Sequence, residues 1–328
     1  MKNVVTNVVT KEVTKEEAVL FGERKSLAGV VTDPARVTGN PRAAVLLLNP
    51  GIVHRVGPGR IYVKIARALA AMGFVVLRFD FSGIGDSAVR HDNLRFEKSA
   101  VRETQEAMKF LKSSKGIEHF ILLGGCSGAL ISLETACCDE QVLGAVLINY
   151  PAIEDEDEDA NTDLKQRRAA HYYWNFALFN LKSWRKLFTG RANYRQLTQV
   201  LRLQVKRRFA SRSTMPAKET SFAANLRALA QRNVRLTFLC SQGDPLLDEL
   251  REAGGDELQR SCALGKVTLD VIPRSDHTFS SLDDHDRLLE LILRRISAMR
   301  LPANGTADSS ELVFPVEAVP LDNSAVGL

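Results

Sequence analysis

Runs of apolar residues too short to be helices recur along this chain, each followed by a turn and a helical pattern. "AAVLLL" (Ala43–Leu48), "FVVLRFD" (Phe74–Asp80), "HFILLG" (His119–Gly124) and "VLGAVLINY" (Val142–Tyr150) are apolar nearly throughout rather than at alternate positions. A strand that is apolar on both sides needs cover on both faces. Strands of this kind alternating with helices build a parallel sheet between two helical layers. Helical patterns fall where such crossovers require them, at Ile61–Met72 with Gly73 as a cap, from about Leu94 to Lys115, and at Ser127–Cys138.

The alternation stops from about Glu154 to Asn233, where charged and aromatic helical segments carry no strand signal. "VRLTFLCSQGD" and "KVTLDVIP" then restore it, and a last helix is expected from about Leu282 to Ala298. The expected fold is therefore α/β, with a mostly parallel central sheet, helices on both faces and a helical lid inserted between two strands. The core is assigned to residues 21–152 and 234–300, and the lid to 153–233. Residues 1–20, whose repeat NVVT, NVVT, KEVT reads as a frayed end or an edge strand, are expected to be flexible. Residues 301–328, rich in Gly, Ser, Asp and Pro, are expected to be a disordered tail.

Hydrophobic content of 45% and charged content of 25% are those of a globular chain that buries a real core. The start lacks the apolar centre of a signal peptide, and no stretch approaches the ~20 apolar residues of a membrane span. The five cysteines are odd in number and have no metal-ligand spacing, so free thiols in a reducing, cytoplasmic setting are expected.

"GGCSG" (Gly124–Gly128) stands between an apolar strand and a helix. A nucleophile presented on a tight strand-to-helix turn needs small residues two before and two after it, because neighbouring backbone leaves no room for side chains. Gly124 and Gly128 satisfy this with Cys126 at the centre. A register one step later centres Ser127, with Gly125 and Ala129 flanking it. A cysteine suits the position, since its reactive thiolate is favoured by a helix N-terminus and a nearby imidazole. Cys137, Cys138, Cys240 and Cys262 read as small buried hydrophobes.

On such sheets the acid and then the histidine follow the nucleophile in chain order. Asp244 ends the first strand after the lid, and His277 follows the next strand in "RSDHTF". His277 is the candidate base and Asp244 the residue that orients it, with Asp248 and Asp276 as rivals for the acid. An oxyanion hole needs two backbone N–H groups. One is expected from Ser127 and the other from the turn after "AVLLLNPG", at Gly51 or Ile52. "FSGIGDS" lacks the lysine and the full glycine spacing of a phosphate loop.

"RFDFSGIGDS", "GGCSGA", "SQGD" and "SDHTFS", in this order, resemble the α/β-hydrolase superfamily over roughly Phe21 to Met299. "HRVGPGRIYVKIARALAAMGFVVLRFDFSGIGDS" and "HYYWNFALFNLKSWRKLFTGRANY" are most similar to the exosortase-associated hydrolases. That resemblance implies a cysteine elbow with Cys126 as nucleophile, Asp244 as acid and His277 as base, and a link to exopolysaccharide or related biosynthesis. Two positions depart from the family pattern: Ser127 replaces a usual acidic residue, and Gly128 a common alanine.

The reaction expected is hydrolysis of an ester or thioester through an acyl-cysteine, with acyl transfer to an alcohol, amine or thiol as the alternative. A non-catalytic binding protein of the same fold is a third reading. No metal or organic cofactor is implied. The acidic run Glu154–Asp159 precedes a long basic stretch, and the net charge is +5. A small-molecule or carrier-bound acyl substrate, anionic in character, fits that stretch; a solvated helix face fits it too, and no nucleic-acid motif accompanies it. Tyr172, Tyr173, Trp174 and Trp184 are candidates for an apolar acyl pocket.

Overall fold

The computed structural model describes residues 15–34, 43–152, 220–242 and 244–299. The greater part of the expected lid, the pocket candidates Tyr172, Tyr173, Trp174 and Trp184, and the expected tail lie outside these residues.

Eight strands form one sheet: β1 (Lys15–Phe21), β2 (Leu27–Asp33), β3 (Ala44–Leu48), β4 (Val75–Phe79), β5 (Phe120–Gly125), β6 (Val142–Ile148), β7 (Arg235–Ser241) and β8 (Val267–Ile272). Their spatial order is β1-β2-β4-β3-β5-β6-β7-β8. The β1–β2 and β2–β4 pairs are antiparallel and every other pair is parallel. Six helices accompany them among the described residues: α1 (Ile61–Ala71), α2 (Phe96–Lys115), α3 (Ser127–Cys138), α4 (Ser221–Gln231), α5 (Leu246–Ala263) and α6 (Leu282–Ser297).

The apolar runs are explained by two-sided cover. Along β3, Val45 and Leu47 join one apolar cluster with Ile65 and Leu69 of α1 and Ile292 and Ile296 of α6. Ala44, Leu46 and Leu48 join the other, with Met108 and Leu111 of α2, Ile131 of α3, Leu226 of α4 and Leu250 of α5. All five β3 residues are fully buried, and truncating one such leucine to alanine costs about 2–5 kcal/mol. The charged residue inside β4, Arg78, is buried but paired with Glu16 of β1 at 3.0 Å, and Glu16 also holds Arg67 of α1 at 2.9 Å. Removing one partner of such a pair strands the other.

Two boundaries differ from the sequence reading. Lys15–Phe21 is an edge strand in full register with β2, so the ordered chain begins before residue 21. Ser221–Gln231, assigned from sequence to the lid, is a helix whose Phe222, Leu226 and Leu229 are buried in the sheet's own core. These residues group with the sheet in a single unit. Among the described residues no helix is long and apolar enough to cross a membrane.

Candidate active site

The parallel strands end along one edge, and the candidate residues lie just beyond those ends, where ligands of open α/β sheets bind. Gly125 pairs with Ile148, Ile148 with Leu239, and Ser241 with Ile272, so the ends of β5, β6, β7 and β8 are level.

Cys126 stands between β5 and α3 with φ 52° and ψ −117°, a conformation that L-residues avoid. Ser127 is the first residue of the helix, so the strained position is the cysteine and the later register is not the one formed. The glycine requirement is steric at both flanking positions. A methyl group at Gly124 would run into the Gly128 backbone, and one at Gly128 would lie 2.6 Å from the Leu48 carbonyl oxygen. The N–H of Cys126 donates to the Ile148 carbonyl at 2.9 Å, which ties the turn to β6.

Asp244 has a buried side chain, 1% exposed, and both of its carboxylate oxygens are engaged. One accepts the N–H of Leu246 at 3.1 Å and the other is hydrogen-bonded to Nδ1 of His277. The imidazole, 25% exposed, also interacts with the Cys126 side chain, which adds to its proton affinity. Burial works against charge on His277, but the hydrogen bonds and charges of Asp244 and Cys126 outweigh it, and its pKa is pushed up to about 10. The three residues therefore meet at one imidazole.

The rival acids are elsewhere engaged. Asp248 is a surface residue paired with Arg251 at 3.7 Å. Asp276 is partly desolvated, yet donors from Ser280 and Thr278 hold its carboxyl below the usual range. It fastens the loop that carries His277 without touching the ring. Burial pushes the Cys137 thiol up to about 11 and the Cys240 thiol up to about 12, whereas Cys138, read from sequence as a buried hydrophobe, is exposed.

The candidate oxyanion loop requires one correction. Gly51 and Ile52 are both candidates from sequence, but the Gly51 N–H donates to the Ser127 hydroxyl at 2.8 Å. The N–H groups of Ile52 and Ser127 have no partner among the described residues, and they are the donors the arrangement leaves open. Ile52 is 76% exposed on this loop.

Three positioning groups escape a reading of the sequence. Asp80, fully buried after β4, accepts the Arg55 N–H at 2.6 Å and the Asn49 amide at 3.3 Å, and forms an ion pair with the Arg55 guanidinium. It thereby clamps the loop that carries Ile52. Tyr62 of α1 donates its hydroxyl to the Leu48 carbonyl at 3.0 Å and accepts the Gly125 N–H at 3.1 Å. Asn149, directly after β6, is buried with φ 45°. Its amide reaches both the Ser241 hydroxyl and the His277 carbonyl at 2.8 Å. The only sequence signal for Asn149 is an asparagine at a strand end, where a left-handed conformation is tolerated.

Known proteins agree with this architecture. Residues 44–288 match the family model of the alpha/beta hydrolase fold. The chain belongs to that family. Esterase EstD of Thermotoga maritima is 31% identical over 129 residues, 38% of this chain and 31% of that protein's length. A dienelactone hydrolase of Anabaena variabilis has a similar structure, with a TM-score of 0.52, 15% identity, and 86% of this chain and 97% of that one covered. An esterase of Pyrococcus furiosus superposes with a TM-score of 0.51, 16% identity, and 86% and 93% covered. At these identities the two structures speak for the fold alone.

Proposed function

We infer that the chain is an acyl hydrolase that cleaves a carboxylic ester or thioester through an acyl intermediate on Cys126. The observation that carries this reading is the imidazole of His277 held between the Asp244 carboxylate and the Cys126 thiol. Membership of the α/β-hydrolase family and the likeness to Esterase EstD support ester chemistry.

The Cys126 side chain is itself among the groups that raise the affinity of His277 for its proton, as a sulfur nucleophile paired with an imidazole would be. A serine mechanism needs a neutral imidazole to take the hydroxyl proton, whereas a protonated imidazole stabilises a thiolate already formed. The Ser127 hydroxyl, in turn, is committed to Gly51. In the first step the Cys126 thiolate adds to the substrate carbonyl carbon, and the displaced electron pair moves to the carbonyl oxygen beside the Ser127 and Ile52 N–H groups. Collapse expels the alkoxide or thiolate, which takes the proton of His277. In the second step His277 removes a proton from water as it attacks the thioester, and collapse expels the Cys126 thiolate beside the protonated imidazole, restoring the starting pair. One such backbone donor contributes about 3 kcal/mol of transition-state stabilisation.

The resemblance to the exosortase-associated hydrolases points to a substrate of exopolysaccharide or related biosynthesis, and the basic stretch to one that is anionic or carrier-bound.

The test is intact-mass spectrometry of wild type, Cys126→Ala and Ser127→Ala after exposure to p-nitrophenyl butyrate and to a butyryl thioester of N-acetylcysteamine. An acyl adduct lost only in Cys126→Ala supports the reading. Loss only in Ser127→Ala overturns the assignment of the nucleophile. Acylated alcohol or amine in place of free acid identifies transfer, and no turnover with either donor points to a binding role.

A further inference from the structure

We propose that Asn149 is a positioning residue that sets His277 and Asp244 against Cys126, a role that rests on the reading of those three as the reacting group. The segments that carry Cys126, Asp244 and His277 are each attached, directly or through one residue, to the Ile148–Asn149 pair. Ile148 accepts the N–H of Cys126 at 2.9 Å, and the Asn149 N–H donates to Leu239 of β7, also at 2.9 Å. The Asn149 side chain then fastens the segments beyond β7 and β8. Its oxygen accepts the Ser241 N–H at 2.8 Å. Its nitrogen reaches the Ser241 hydroxyl and the His277 carbonyl, both at 2.8 Å. Ser241 also bonds the Asp276 carbonyl at 2.9 Å and accepts the Asp244 N–H on its own carbonyl at 3.2 Å.

One buried carboxamide thus joins the turn that presents Asp244 to the loop that presents His277. A carboxamide is required because the position needs both a donor and an acceptor in one plane. The positive φ makes asparagine acceptable there without glycine's flexibility. None of these bonds touches the imidazole ring, so Asn149 acts through the backbone that carries it. Among the described residues, the charged or titratable groups that face the ring are Asp244 and Cys126.

Asn149→Gly tests this cleanly, since glycine keeps the backbone conformation and removes the amide. The readout is the titration of the His277 Cε1–H resonance by NMR, with the rate of iodoacetamide alkylation of Cys126 against pH as a second measure. The expected result is a His277 midpoint lowered by a unit or more and a kcat on p-nitrophenyl butyrate reduced about 10- to 100-fold, with KM within about twofold. A wild-type midpoint and alkylation profile in a folded Asn149→Gly protein would overturn the proposal, whatever its melting temperature. The titration needs no turnover, so the two readings fail separately. A shifted midpoint in a chain that never acylates Cys126 keeps the positioning role and removes the hydrolase.

Discussion

The hydroxyl of Ser127 accepts the N–H of Gly51 at 2.8 Å, binding the first turn of α3 to the loop after β3. The residue after the turn cysteine therefore supplies an open backbone N–H and also holds the loop from which the second donor, Ile52, projects. Ser127→Ala is expected to keep acylation at Cys126, because the thiol and imidazole are untouched. It should reduce kcat about 3- to 30-fold through a looser loop and lower stability by about 1 kcal/mol, read by ester hydrolysis and urea unfolding.

Gly128→Ala should be far more damaging than a single methyl group suggests. Its Cβ would lie 2.6 Å from the Leu48 carbonyl oxygen and 2.8 Å from that of Asn49, both backbone atoms that cannot swing away. A loss of about 1–3 kcal/mol is expected from the overpacking, together with a lower rate of ester hydrolysis. A protein of unchanged melting temperature and activity would contradict the close approach of α3 to β3.

Tyr62→Phe removes a bridge without changing the shape of the core. The Gly125 N–H and the Leu48 carbonyl, both near the site, would each lose their hydroxyl partner. A stability loss of about 1–3 kcal/mol is expected, with a fall in kcat from the loosened turn at Cys126. Urea denaturation beside steady-state kinetics separates the two effects.

The pH dependence of stability should carry the signature of His277. Its folded pKa is raised to about 10 from an ordinary value of 6.5, so the folded state holds the proton more tightly than the unfolded chain. The associated stability is fully present below pH 6.5 and is lost as pH rises through about 10. Asp244→Asn removes the main attraction, so its stability deficit against wild type is expected to shrink across that window by on the order of 2 kcal/mol. Chemical unfolding at a series of pH values measures it. The same variant should lose on the order of 10²- to 10⁴-fold in kcat.

The parallel half of the sheet is legible because each strand is buried on both faces and so reads as an unbroken apolar run. β2 is not, since Gly29, Thr32 and Asp33 interrupt its pattern. α5 is hidden for a related reason, because Gly254 and Gly255 sit inside it and Gly255 takes a non-helical conformation that bends it. In the site, Cys126, Asp244 and His277 stand out because each lies at a strand end in a turn with a chemical requirement of its own. Tyr62 reads as one more core residue of α1, and Asn149 as a turn former. Their roles depend on partners 63 and 128 residues away in sequence, Gly125 and His277, which no local pattern records. The Gly51 N–H is engaged by a hydroxyl from a helix 76 residues later, a partner no local pattern records.

The parallel arrangement also fixes a timetable. Cys126, Asp244 and His277 come after strands that cannot be joined by hairpins, and about 150 residues separate the sulfur from its imidazole. At about 5–20 residues per second, the growing chain carries an unpartnered thiol for roughly 8–30 s before β8 and His277 leave the ribosome. The Cys126 sulfur therefore meets the His277 imidazole only when the far side of the sheet is made.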